Sequence, residues 1–252
     1  MNSPEAHERA FEDIYTHGGS DWAAHFGKDP LTRFLRDRRL SVAFREMKKK
    51  GLLRVDRQSV LVICGGVGGE GSFLRRCGFD DVTVSDFSTS SLELCNSFDP
   101  TIKTLKLNAE SIDLPDESFD IVVVQDGLHH LLRPTLGLTE MLRVAKSAVV
   151  VIEPHYGLVG QVFGTKWEVH GEVVNYVFRW NRTILEQCTR SFLLLESTEV
   201  VTRRIWDHNL VVMRVVGHLP GRFRLAVARL IYALLRPLSR FGNMMIGIVI
   251  KK

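Results

Sequence analysis

Cysteine is scarce in this chain, and the four present, Cys64, Cys77, Cys95 and Cys188, are scattered without a C-x-x-C pair. That argues against a disulfide framework and against a cysteine-built zinc site, so reduced thiols of a cytoplasmic protein are expected and no metal is called for. Long apolar runs are missing as well. None approaches the roughly 20 residues of a membrane span, and residues 1–10, with Glu5, His7, Glu8 and Arg9, lack the apolar stretch of a secretory signal. Internal repeats and low-complexity segments are absent. The charge imbalance is only +4 over 252 residues, which gives no ground for a nucleic-acid partner. A content of 45% hydrophobic and 25% charged residues is that of an ordinary globular chain, long enough for one domain with additions.

What is present is an alternation. Residues 5–17 and 31–50 read as helices, the second opening at Pro30 and stopping at Gly51. From Ser59 onward short β-branched runs at 60–63, 82–84, 102–107, 119–124 and 149–152 alternate with helical stretches at 71–77, 88–98 and 134–146. Runs such as IVVV at 121–124 suit strands buried on both faces, and strands of that kind separated by helices predict a parallel sheet with right-handed crossovers. Ligands of such sheets bind at the carboxyl ends of the strands.

The first strand runs into VLVICGGVGGEG at 60–71. Gly66, Gly68 and Gly71 spell G-x-G-x-x-G, and Asp86 follows about 20 residues on, the arrangement in which a tight glycine turn meets a nucleoside and an acid accepts from its ribose. A strand-to-helix turn with no ligand is the plainer reading, and the motif by itself leaves the nucleoside unspecified.

The stretch LNAESIDLPDESFDIVVVQDGLHHL, from Leu107, separates the candidates. It resembles the class I S-adenosylmethionine-dependent methyltransferases, in particular their small-molecule, type 11-like branch. Asn108, Ala109 and Glu110 stand for that family's D-A-E, Leu114 and Pro115 for its L-P, Phe119 and Asp120 for its F-D, and His129 and His130 for its L-H-H ending. The likeness spans residues 58–153. It implies a doubly wound, mostly parallel seven-stranded sheet of Rossmann-like form, with a helical lid at 1–57, the cofactor-binding core at 58–153, and an acceptor-pocket segment, helical insertion and final strands at 154–252. It also implies that Cys64, Gly65, Gly66 and Gly68 lie under the methionine and ribose of S-adenosylmethionine, that Asp86 holds the ribose hydroxyls and Phe87 flanks the adenine. Asn108, Ala109 and Glu110 then belong at the adenine edge and Gln125 at the methionine end. The cofactor carries no phosphate, and the glycine loop carries no lysine.

The sequence departs from the family at three places. Val62 stands where an acid is common, Cys64 where glycine is common and Asn108 where Asp is common. Loss of the acid at Val62 leaves Glu70 or water to meet the methionine amine. A hydroxyl or ammonium acceptor must shed a proton, and histidine is the default base near neutrality; the candidates are His130, His155 and, behind them, His129. Tyr15, Tyr156 and Trp167 are expected to line the acceptor pocket. Acid disappears from the tail after Asp207, whereas Arg214, Arg222, Arg224, Arg229, Arg236, Arg240, Lys251 and Lys252 are all basic. Within it, FRLAVARLIYALLRPL reads as an amphipathic helix that packs on its own core or on a second copy in a homodimer, or that touches an anionic membrane through residues 219–240. Three functions remain open: a methyltransferase for a small-molecule acceptor, an NAD-dependent oxidoreductase sharing the glycine loop, and a binding module that has lost catalysis.

Overall fold

The computed structural model describes residues 3–193, 198–207 and 212–251. A seven-stranded sheet forms its centre. In chain order the strands are β1 (Ser59–Ile63), β2 (Asp81–Asp86), β3 (Lys103–Lys106), β4 (Phe119–Gln125), β5 (Ala145–Pro154), then β8 (Glu199–Ile205) and β9 (Met244–Ile250), with β6 (Trp167–His170) and β7 (Val173–Tyr176) paired separately as a hairpin. The order across the sheet is β3-β2-β1-β4-β5-β9-β8. Strands β1 to β5 run parallel, and β9 lies antiparallel between β5 and β8. This is the doubly wound, mostly parallel fold that the alternating apolar runs predict. The strand order reverses between β1 and β4, so the loops after those two strands open a crevice at their carboxyl ends.

The parallel strands are apolar throughout because both faces are covered. On one face Leu40, Phe44 and Met47 of α3 (Pro30–Lys49), Phe73 and Leu74 of α4 (Gly69–Arg76) and Leu92 and Cys95 of α5 (Thr89–Phe98) pack on alternate residues of the sheet. On the other face Leu138, Met141 and Leu142 of α6 (Pro134–Val144) and Leu185 of α8 (Arg182–Leu193) pack on the intervening residues. Each fully buried Val or Leu of these layers contributes about 1.5–3 kcal/mol.

Three additions crown the carboxyl edge. Helix α1 (Pro4–His17), capped by Ser3, and the short α2 (Trp22–Phe26) lie over the first half of the sheet. Helix α7 (Leu158–Phe163) and the β6–β7 hairpin lie over the second half. Helix α9 (Met213–Val216) and helix α10 (Gly221–Leu235) form the insertion before β9. Of the readings open for α10, packing on its own chain is what the described residues display: Ala228 and Tyr232 are buried with Leu35 of α3, and the Arg38 guanidinium lies 3.6 Å from the Tyr232 ring. Its opposite face is solvent-exposed. No described helix is long and apolar enough to cross a membrane.

Candidate active site

The turn after β1 is built by backbone shape. Gly66 and Gly68 take φ of +49° and +88°, where a Cβ is disfavoured, and a Cβ on Gly68 would stand 2.3 Å from the Cys95 sulfur. Cys64 also adopts a positive φ, +52°, at the position where the sequence departs from glycine. The turn is locked from β2. The Asp86 carboxylate accepts the Gly66 N–H through Oδ2 and the Ser88 N–H through Oδ1, each at 3.0 Å. Burial pushes the Asp86 pKa above the usual range, against the pull of those N–H groups. An ionised carboxylate offers about four acceptor positions, so room for further donors remains.

Asp86 lines a cavity together with Phe87, Leu107, Asn108, Ala109, Glu110 and Cys64. The Asn108 Oδ1 accepts the Glu110 N–H at 2.9 Å, tightening the loop, and Asn108 itself stays exposed at the rim. Glu110 faces inward to its own loop: it accepts from the Arg133 N–H at 2.6 Å and from Arg133 Nε at 2.8 Å. Helix α1 closes the cavity from above, with His7 stacked on Phe11 and both rings within 5.7 Å of Phe87. Glu12 of α1 fastens that helix down by accepting the Ser90 N–H at 3.1 Å and its hydroxyl at 2.5 Å.

A second cavity of ≈ 530 Å³ adjoins the first through Cys64 and is lined by Tyr15, Gly66, Glu70, Gln125, Arg39 and His130, among others. Tyr15 reaches down from α1, its hydroxyl only 2.6 Å from where a Cβ on Gly66 would sit. Glu70 accepts from Gln125 Nε2 at 3.1 Å and lines this cavity with a carboxylate, whereas Val62 is wholly inside the core. Burial raises the Glu70 pKa. The other amide atom, Gln125 Oε1, is buried without a hydrogen-bond partner. Buried Arg39 pairs with Asp126 at the cavity wall.

Beyond Gln125 the chain turns through Gly127 into a 3₁₀ turn at Leu128–His130. Glu153, fully buried on β5, makes that turn: its Oε1 accepts the Gly127 and Leu128 N–H groups at 2.8 Å, and its Oε2 lies 2.6 Å from His129 Nδ1. Burial alone would lower the His129 pKa, but the adjoining Glu153 carboxylate lifts it to about 9. His130 is pushed well below its ordinary value, first by burial and then by His129. The β6–β7 hairpin is tied over this turn by Asn175 Nδ2, which donates to the His130 carbonyl at 2.8 Å. Glu168 and His170 of the hairpin thereby face the two histidines.

The structure therefore brings together Cys64, Gly65, Gly66, Asp86, Phe87, Asn108, Ala109, Glu110, Gln125, Tyr15, His129 and His130 along one connected pair of cavities and their rim. It sets the remaining four sequence candidates elsewhere. Gly68 lines neither cavity, a Cβ on it pointing at Cys95 and Phe26 beneath the turn. His155 is buried beside Gly157 and Arg204, away from those cavities, and desolvation pushes its pKa down to about 4. Tyr156, in the connection between β5 and α7, is 49% exposed, and Trp167 is 59% exposed because the hairpin turns alternate side chains outward, where it pairs edge-on with Tyr176. Arg39 escapes a reading of motifs, since it lies in none, and with it the ion pair to Asp126; so does the pairing of Glu70 with Gln125, whose partners stand far apart in sequence.

The family described as a methyltransferase domain matches residues 62–152, the stretch from β1 to β5 that carries the glycine turn, Asp86 and the histidine turn. This segment is a class I S-adenosylmethionine-dependent methyltransferase domain. The demethylmenaquinone methyltransferase of Renibacterium salmoninarum is 34% identical to it over 92 residues, 36% of this chain and 38% of that protein. That of Clavibacter sepedonicus is 30% identical over 101 residues, 38% of this chain and 41% of that protein. The chain thus matches about two-fifths of the length of these relatives. Whole-fold likeness extends further. A Thermotoga maritima S-adenosylmethionine-dependent methyltransferase, described as a possible histamine N-methyltransferase, superposes with a TM-score of 0.60 at 16% identity, covering 97% of this chain and 99% of that one. The plantazolicin methyltransferase, solved with S-adenosylhomocysteine, gives 0.56 at 13% identity over 97% and 96%. The [4+2]-cyclase SpnF gives 0.58 at 15% identity over 85% and 81%.

The residues of the methyltransferase domain suit the cofactor of its family. Asp86 has acceptor positions left for the ribose diol, and the unpartnered Gln125 Oε1 together with the Glu70 carboxylate suits an ammonium donor.

Proposed function

We propose that the chain transfers a methyl group from S-adenosylmethionine to a small, lipid-like acceptor presented at an anionic membrane surface. The observation that carries the cofactor half is Asp86, buried at the end of β2, joined to the Gly66 N–H and lining the cavity in which an adenosine ribose would sit. When bound, the cofactor supplies a methyl group already activated on a sulfonium, so the protein's work is chiefly to position the acceptor. Asp86 would accept from the two ribose hydroxyls, Phe87 and His7 would flank the adenine, and Gln125 and Glu70 would hold the methionine ammonium. Arg39 lies on the same cavity wall to meet the methionine carboxylate. Helices α1 and α2 serve as a lid over this half. His130, which lines both this cavity and the next, is the histidine placed to meet the acceptor.

The acceptor half is supported by a cavity of ≈ 400 Å³ lined by His130, Phe163, Val177, Arg179, Arg214 and Met244. Phe163, on its wall, belongs to a helix with an apolar exposed face, Leu158, Val162 and Phe163 of α7 being 78%, 60% and 66% exposed, and α10 carries a second such face, with Leu230 and Leu234 57% and 67% exposed. Exposed Arg222, Arg229 and Arg236 lie on and just after α10. An apolar stripe edged by arginine suits the interface of an anionic bilayer. The two relatives named above are named for demethylmenaquinone, in keeping with an apolar acceptor.

Calorimetric titration of the purified chain with S-adenosylhomocysteine and separately with NAD tests the cofactor half. Binding of the first and not the second is expected; the reverse would make it an oxidoreductase, and binding of neither would leave a module without the cofactor. Co-sedimentation with phosphatidylglycerol-containing vesicles at low salt tests the acceptor half. The doubly substituted Leu230→Ser, Leu234→Ser chain is expected to partition at least about 10-fold more weakly, since each buried Leu is worth about 1.5–3 kcal/mol. Wild-type chain that stays in the supernatant would remove the membrane from the reading while leaving methyl transfer standing.

A further inference from the structure

We propose that His129, His130 and Glu168 form a binding site for a divalent first-row transition metal, of which zinc is the reference case. The donor atoms converge from two separate segments, the turn after β4 and the β6 strand. Glu168 Oε2 lies 3.2 Å from His130 Nδ1 and 3.8 Å from His129 Nε2, and the three donor atoms all fall within 4.8 Å of one another. Tetrahedral zinc, with bonds of about 2.0–2.2 Å, needs donors a little over 3 Å apart, so a closure on the order of 1 Å completes the set. The hairpin bearing Glu168 is an outer element joined to the turn by the Asn175 hydrogen bond, so it is the part that would close.

Two further observations point to a ligand rather than to a self-sufficient cluster. First, His130 Nδ1, Glu168 Oε2 and the adjacent His170 Nε2 are buried atoms without a well-directed hydrogen bond, met only by one another at 3.2 and 3.8 Å from the Glu168 oxygen. A cation between them would satisfy the carboxylate and the lone pairs together. Second, His129 is already arranged as a metal-binding histidine. Its Nδ1 faces the fully buried Glu153 carboxylate at 2.6 Å, which keeps a proton on Nδ1 and aims Nε2 toward Glu168, where a metal ion would displace the Nε2 proton. A carboxylate behind the imidazole is the usual support of such ligands.

All three donors line the ≈ 400 Å³ cavity assigned above to the acceptor. The fourth coordination position would therefore open into that cavity and take an oxygen of the acceptor. A metal-bound hydroxyl gives up its proton to water more readily, leaving an alkoxide or phenoxide as nucleophile. This last step rests on the methyltransferase reading; the metal site itself does not. The cysteine spacing offered no hint of it because no cysteine takes part.

The test is equilibrium dialysis of the full metal-free chain against Zn²⁺, with bound metal counted per chain, and visible absorption of the Co²⁺ form to report its geometry. One equivalent is expected, with a low-symmetry Co²⁺ spectrum. Glu168→Gln and His130→Ala should each weaken binding at least about 10-fold, and Glu153→Gln should weaken it about 10–100-fold by releasing His129. Urea unfolding of the same variants checks that they are folded, and calorimetry of the Glu168→Gln chain with S-adenosylhomocysteine keeps the cofactor reading separate. Wild-type chain that binds less than one equivalent overturns the proposal. So does full retention of the metal by a folded Glu168→Gln chain.

Discussion

The two halves of the carboxyl edge are made differently. The adenosine half comes from consecutive turns of one segment, and its key contacts join backbone to side chain: Asp86 to the Gly66 and Ser88 N–H groups, Asn108 to the Glu110 N–H. The acceptor half is assembled across the chain, from α7, the hairpin, α9 and the start of strand β9 around the histidine turn. Contacts with backbone fix a geometry with few demands on neighbouring side chains, so the first half recurs as a recognisable motif. The second half depends on which side chains distant segments present, and is free to vary. That SpnF, a cyclase, shares this fold illustrates the point: a common scaffold does not fix the reaction performed on it.

If this contrast holds, the halves should fail separately. The largest effect is expected at Glu153, where Ala would strand the Gly127 and Leu128 N–H groups and leave His129 without its buried partner. A loss of about 3–5 kcal/mol in urea unfolding is expected. The damage should centre on the histidine turn, so hydrogen exchange should rise at 127–131 while the amides of β2 stay protected. Equal deprotection of both regions would mean that the two halves form one cooperative unit. Next comes Asp86→Ala. Removing the acceptor of two ribose hydroxyls should weaken S-adenosylhomocysteine binding about 100-fold in calorimetry, since a hydrogen bond to a charged group is worth about 1.5–3 kcal/mol. The metal stoichiometry at the histidine turn should not change.

The same contrast explains what could be read from the sequence. The sheet was legible because buried strands such as Val122–Val124 must be apolar on both faces, and the glycine turn because positive φ restricts the residues it accepts. The β6–β7 hairpin was not legible: the WEVH alternation over four residues at 167–170 is too short to separate from a loop, and its placement is set by the Asn175 bond to the His130 carbonyl and by α1 against it. Strand β8 was missed for a similar reason. Its residues Glu199–Ile205 are mostly half-buried at the sheet edge and carry Arg203 and Arg204, which masks the apolar signal. Trp167 was a reasonable candidate from its residue type, but the direction of a side chain on a hairpin depends on register, which composition does not reveal; Tyr156 lies in a connection, with no periodicity to orient it. His155 was drawn in by adjacency to β5; the chain turns at Gly157 and carries it away from the cleft.

That displacement makes His155 the finest probe of the acceptor half. Burial, with Arg204 as the charge facing it, holds its pKa down to about 4, so the imidazole is neutral in the folded chain at neutral pH. An unfolded histidine takes up its proton near pH 6.5. The stability owed to this depression is therefore fully present above that pH, and it drains away as pH falls from 6.5 toward 4, where both states are protonated. Urea midpoints measured at pH 7, 5.5 and 4 should fall more steeply for the wild type than for His155→Gln, which has no proton to take up. Because His155 bonds through its backbone N–H to Asn243 at 2.8 Å and bridges to Trp180, its protonation should loosen the join of β5 to the segment that carries α7. S-adenosylhomocysteine affinity at pH 5.5 should then hold while protection of the amides in α7 falls. Parallel midpoints for the two proteins across this range would mean that His155 is solvated, and that the acceptor half is no more sensitive to acid than the half built around Asp86.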